Sequence, residues 1–172
     1  TDEHYVRDVG TGWTMEGPLL VSDDSLVVPQ GRVAPIIIDR SSGAPRGPLG
    51  GGGGSFVLLT AENDILHGPG NKSGWITDSD GRSREQVASY QKGNAMGVEG
   101  ETAWMLSDRI LTAMDRPSRT LLWSVPTGSP LEMIKVGDHL VTGGSDRVEI
   151  TDASTGELLW NAEVDGDVYG LA

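Results

Sequence analysis

The chain has 172 residues, enough for one domain that buries about 70% of its unfolded surface. Acidic residues outnumber basic ones 25 to 13, for a net charge of −12, and no Lys/Arg-rich stripe interrupts that field, which argues against nucleic acid or an anionic membrane as partner. The absence of cysteine excludes disulfides, thiolate metal sites and cysteine nucleophiles, and no run approaches the ~18 apolar residues of a membrane-inserted helix. The chain opens on the polar TDEH instead of Met and an apolar leader, which reads as a processed or excised piece.

With 25 Gly, 9 Pro and one Phe, and with short Val/Ile/Leu runs between turn residues, the composition is that of an all-β protein. In chain order, SDDSLVVPQGRVAPIIIDRSSGAPRG (22–47) gives a turn, a strand, an apolar strand ending at Asp39, and a Ser-Gly turn. FVLLTAENDILHGPG (56–70) gives the first two strands of a second unit and VASYQKG (87–93) its third. GETAWMLSDRILTAMD (100–115) then lies over GDHLVTGGSDRVEITD (137–152), and DRPSRTLLW (115–123) over DASTGELLW (152–160), with Asp, Leu-Leu and Trp in register. This is a repeat of about 38 residues, with units at 14–50, 55–92, 94–128 and 130–166 and the start of a further one at 167–172. A four-stranded antiparallel meander cannot bury both faces alone, so neighbouring units must cover it; the predicted architecture is about four β-propeller blades forming part of a larger ring.

Within DASTGELLW, Thr155-Gly156 sits in a tight turn where glycine can take φ > 0, and Leu158 and Trp160 share one face of the following strand. A Trp at that place can lie over the adjacent blade and bury about 150–250 Å². Trp123, Trp160 and Gly156 are therefore expected to be docking residues, with both indoles largely buried. The stretch resembles the tryptophan-docking repeat of the pyrroloquinoline-quinone-type (quinoprotein dehydrogenase-like) β-propellers. The likeness is strong in units three and four, degraded in unit one, where Gly47 holds the Trp position, and lost in unit two.

Several expectations come from that resemblance. Propellers of this family close with six to eight blades, so the remaining blades would come from another chain or another copy. An exported protein, periplasmic or at the cell surface, is implied. The family's dehydrogenases hold calcium through carboxylate and amide oxygens, carry a catalytic Asp, and often set two vicinal cysteines over the quinone. This chain has no cysteine and no matching constellation, which favours the non-enzymatic branch, with relatives such as the outer-membrane assembly scaffold lipoproteins. No cofactor is then expected; PQQ and calcium enter only under the alternative of a dehydrogenase whose ligands lie in blades absent here.

Other motifs are weaker. Gly70-Asn71-Lys72-Ser73 lacks the spacing and following helix of a P-loop, and Asp78-Ser79-Asp80-Gly81 starts like a calcium loop but has Ser89 where a bidentate Glu belongs. The run Gly50 to Gly54 reads as a mobile connection. Unit two departs from the repeat most: HGPGNKSGWITDSDGRSRE (67–85) reads as an insertion of about 19 residues between its second and third strands. Together with Pro29–Arg32 and the connection Gly47–Ser55, it would form one irregular loop face. Arg32, His67, Asn71, Lys72, Trp75 and Arg82 are its predicted binding residues, suited to a protein partner or a small anionic or sugar-like ligand.

Overall fold

The computed structural model describes residues 15–70 and 74–171; Asn71 and Lys72 lie outside the described residues. The first sheet contains β1 (Leu20–Val21), β2 (Ser25–Gln30), β3 (Val33–Asp39) and β4 (Pro45–Pro48), hydrogen-bonded in chain order. The second contains β5 (Phe56–Leu59), β6 (Asp64–Gly68), β7 (Gly74–Asp80) and β8 (Gln86–Gly93), and the third β9 (Ala95–Glu99), β10 (Thr102–Ser107), β11 (Ile110–Asp115) and β12 (Leu121–Pro126). The fourth contains β13 (Glu132–Val136), β14 (His139–Asp152) and β15 (Leu158–Asp167). There, Asp146 bends the chain at φ 56°, as Asp108 does at φ 47° in the third sheet. The ten-residue β15 pairs past that bend, up to Ser145 with Asp167, so the two middle limbs form one continuous β14.

All pairings between these strands are antiparallel, as in blades of a propeller. The inner strands β5, β9 and β13 neighbour one another and line a cavity of about 520 Å³ along the array's axis. The core lies between blades. Val27 and Ile37 of the first blade meet Ile65 of the second; Leu66, Ile76 and Tyr90 meet Met96, Ala103 and Met114; Trp104, Leu106 and Ala113 meet Met133, Leu140 and Ala153. A two-faced burial of this kind explains why β3 reads APIII instead of alternating.

One turn recurs in every blade, between its third and fourth strands. It begins at Asp39, Asp80, Asp115 or Asp152, whose carboxylate accepts nearby backbone N–H groups: Ser41 and Ser42 at 3.0 and 2.9 Å, Arg82 and Ser83 at 2.9 and 2.6 Å, Ser118 at 2.9 Å, and Ser154 and Thr155 at 2.9 and 2.8 Å. These bonds, led by the adjacent serine hydroxyls, hold the Asp39 carboxyl well below the usual range and that of Asp152 at about 2. Four residues after each Asp the backbone is left-handed, at Gly43 (φ 73°), Arg84 (65°), Arg119 (60°) and Gly156 (78°). The residue after each Asp, in turn, donates its N–H to the preceding first-to-second-strand turn: Arg40 to Asp24, Gly81 to Asn63, Arg116 to Glu101 and Ala153 to Asp138.

Two sequence expectations are corrected. The segment 67–85 is not an inserted loop: Gly74–Asp80 is the regular third strand β7, and VASYQKG lies in the fourth, β8. β7 escaped notice because its buried residues Thr77, Asp78 and Ser79 are polar, while its Trp75 is 54% exposed. Residues 168–171 pair with no strand among the described residues, and Val168 donates its N–H back to Gly144. The glycine run is held at three of its five positions, since a Cβ at Gly51 would strike Thr77, at Gly53 the backbone of Gly31 and Val33, and at Gly54 the backbone of Gly68, whereas Gly50 and Gly52 have open space around them. Among the described residues no helix is long and apolar enough to cross a membrane.

Candidate functional site

At the end of the array where second strands turn into third strands, three segments meet: Gly31-Arg32, the connection through Gly53, Gly54 and Ser55, and Pro69. With Glu16 they line a cavity of about 380 Å³. The glycines let the backbone press against both neighbouring blades, and Ser55 N–H donates to the Pro69 carbonyl at 3.2 Å, which ties the connection to the second blade. Arg32 therefore projects from a turn braced on both sides. Trp75 begins β7 at this same end and is half exposed.

His67 does not reach that surface. It is 1% exposed on β6, and neither ring nitrogen makes a well-formed hydrogen bond, although the backbone of Gly50 and Gly52 lies close by. Burial holds its pKa down at about 4, so the ring is neutral. Arg82 leaves the group for a different reason: it sits in the Asp80 turn, at the opposite end of β7 from Trp75. Of the predicted residues, the structure thus brings Arg32 and Trp75 to one end, with His67 beneath.

Sequence reading missed a second constellation, between the second and third blades. Arg116 Nη2 lies 2.5 Å from the Asp64 carboxylate and 2.9 Å from that of Asp78, which is almost wholly buried. Burial pushes the Asp78 carboxyl up, against the opposing pull of Arg116. Burial also opposes the Arg116 charge, but its bonds to Asp64 and Asp78 outweigh this and raise its pKa. Tyr90, buried beside them, has its phenol raised by burial and by the Asp78 charge, and its ring carries the Arg119 guanidinium at 5.6 Å. Together with Glu62, Ala88 and Glu101, the side chains of Asp78, Tyr90, Arg116 and Arg119 border a cavity of about 500 Å³. Asp78 and Arg116 lie 38 residues apart, one repeat, and that spacing of opposite charges was the available signal.

The docking positions are also resolved. A Cβ at Gly156 would lie 2.8 Å from the Trp123 ring, and the Trp123 indole donates to the Ala153 carbonyl at 3.2 Å. Trp123 thus lies on the turn of the following blade. Trp160, expected to be buried likewise, is 50% exposed, because among the described residues no fifth blade follows to cover it. Among the described residues no group of three or more His, Asp or Glu is placed to hold a metal ion.

No family model and no curated protein matches the chain. Among solved structures it is similar to the computationally designed Ika8 protein, at 16% identity and a TM-score of 0.71 over 87% of this chain and 50% of that one. It is also similar to BamB from Moraxella catarrhalis, at 18% identity and a TM-score of 0.68 over 87% of this chain and 52% of that one. The chain therefore spans about half the length of the solved structures it matches. The fold is that of a β-propeller, all-β and built of successive antiparallel blades.

Proposed function

We propose that the chain is a rigid interaction scaffold whose binding surface is the loop end carrying Arg32 and Trp75. The observation that carries this reading is the cavity of about 380 Å³ built from three backbone segments that glycines clamp together. Such a surface loses little conformational entropy on binding, because the residues around it are already fixed. Arg32 offers a planar fork of donors and Trp75 a flat apolar face, a combination suited to an anionic or sugar-like group, free or on a protein. Export to the periplasm or cell surface belongs to the same reading, on the strength of the repeat's resemblance. The likeness of the fold to BamB is consistent with a scaffold.

The test is a titration of the ¹⁵N-labelled chain with uronic acids and with acidic peptides, following the Trp75 indole N–H. A saturable shift that disappears in Arg32→Ala supports the proposal. No saturable shift with either ligand class, or one that survives Arg32→Ala, overturns it.

A further inference from the structure

Each junction between blades brings one pair of positions face to face. One is the eighth residue after the turn Asp of a blade, which pairs across to the third strand: Gly47 with Ile37, Ala88 with Asp78, Trp123 with Ala113, Trp160 with Ile150. The other is the left-handed residue in the turn of the following blade. Gly47 of the first blade is matched by Arg84, which donates to the Arg46 carbonyl. Ala88 of the second is matched by Arg119, which lies over Tyr90, two residues on. Trp123 of the third is matched by Gly156. Every junction thus joins one small residue to one large one, and either blade can supply the large one.

The two ends of the array carry the unmatched halves. Trp160, on the last blade, is half exposed. Gly43, in the turn of the first blade, has φ 73° and nothing within 4 Å of the place a Cβ would occupy. One is large and the other small, in the same order as Trp123 and Gly156.

We infer that these ends recognise each other between two copies of the chain, Trp160 of one docking on the Gly43 turn of the other. Trp160 needs glycine in the turn it covers, because the Trp123 ring already lies 2.8 Å from where a Gly156 Cβ would stand. The turns at Arg84 and Arg119 would meet the indole with a long side chain, and the Gly156 turn is taken. Gly43 is the one that fits. Related by a twofold axis along the channel, the copies would form two identical head-to-tail junctions and leave neither terminal blade with an uncovered face. This inference is independent of the loop-end reading, since neither Arg32 nor Trp75 takes part.

The test is the mass of the purified chain by sedimentation, combined with directed cross-linking. The expected particle is twice the 18.2 kDa of one chain. Trp160→Ala and Gly43→Leu should each give a monomer that keeps the β circular-dichroism spectrum, because half of Trp160 is exposed and nothing among the described residues lies within 4 Å of a Gly43 Cβ. The chain lacks cysteine, so Ser42→Cys on one copy and Asn161→Cys on another are unique thiols, and a short bis-maleimide should join 42 to 161 in the mixture. A folded monomer at micromolar concentration, a dimer that survives Trp160→Ala, or cross-links dominated by 42 to 42 or 161 to 161 would each overturn the inference. So would a longer polypeptide carrying this segment that is monomeric and docks Trp160 on a blade of its own.

Discussion

The buried His67 makes stability depend on pH in a way that can be calculated. An imidazole in water titrates near 6.5, and burial lowers this ring to about 4. Between those values the unfolded chain binds a proton that the folded chain refuses, so folding stability rises with pH across that window, is complete above about 6.5, and is lost as pH falls toward 4. At about 1.36 kcal/mol per pKa unit, the loss approaches 3 kcal/mol. That is a large share of the 5–15 kcal/mol typical of a domain. The perturbation is His67→Leu, which keeps the side chain's approximate volume and removes two buried nitrogens that lack partners. The assay is urea unfolding followed by tryptophan fluorescence at pH 7.5, 6.0, 5.0 and 4.2. The wild-type chain should lose about 3 kcal/mol more than the variant between the extremes, and the two should differ least at pH 7.5. Parallel pH profiles, or an NMR titration of His67 centred near 6.5, would refute the assignment of a neutral, desolvated ring.

Further outcomes follow from the junctions and the turns. Trp123→Ala should destabilise by about 3 kcal/mol in denaturant unfolding, through lost packing and the lost bond to Ala153. Gly156→Val should be at least as damaging, since it puts a β-branched residue at φ 78° against the indole. Arg116→Met leaves Asp78 buried without its partner and should cost about 3–5 kcal/mol at neutral pH. The Asp78 carboxyl is raised in the fold, so the folded state binds the extra proton; in that variant stability should partly recover as pH falls toward 5, and a flat profile would count against the pairing. Gly54→Ala should displace the connection from Gly68 and abolish any ligand-induced shift at Trp75, read by the same NMR titration.

The blades were legible because three physical signals coincided: apolar runs of strand length, turn residues between them, and a repeated Asp-x-x-[Ser/Thr]-Gly or Arg pattern. Where burial is polar the first signal fails, and β7 was lost for that reason alone. The Asp80 turn could have recovered it, since Asp80 and Ser83 stand as Asp115 and Ser118 do. Recognising that turn would also have moved Arg82 away from the loop end. Trp160 shows a different limit. Its strand reads like that of Trp123, but burial depends on the neighbour, and a repeat names a residue's role without saying who stands beside it. His67 joined the loop face because it stands at the start of the segment read as an insertion; its burial depends on the backbone of Gly50 and Gly52 passing close to it, a long-range neighbour that the local sequence does not announce.

The alternation of large and small residues at the junctions also bears on how such a chain avoids misassembly. Repeats with similar strands can exchange places during folding, a known failure of arrays whose units resemble one another. Here the first two junctions set a small residue against an arginine, and the third sets Trp123 against Gly156. If the fourth blade were to follow the first, Gly156 would face Gly47 and leave a hole; if the second were to follow the third, Arg84 would be driven into Trp123. Either mistake forfeits packing at once, so single side chains discriminate against these two wrong orders.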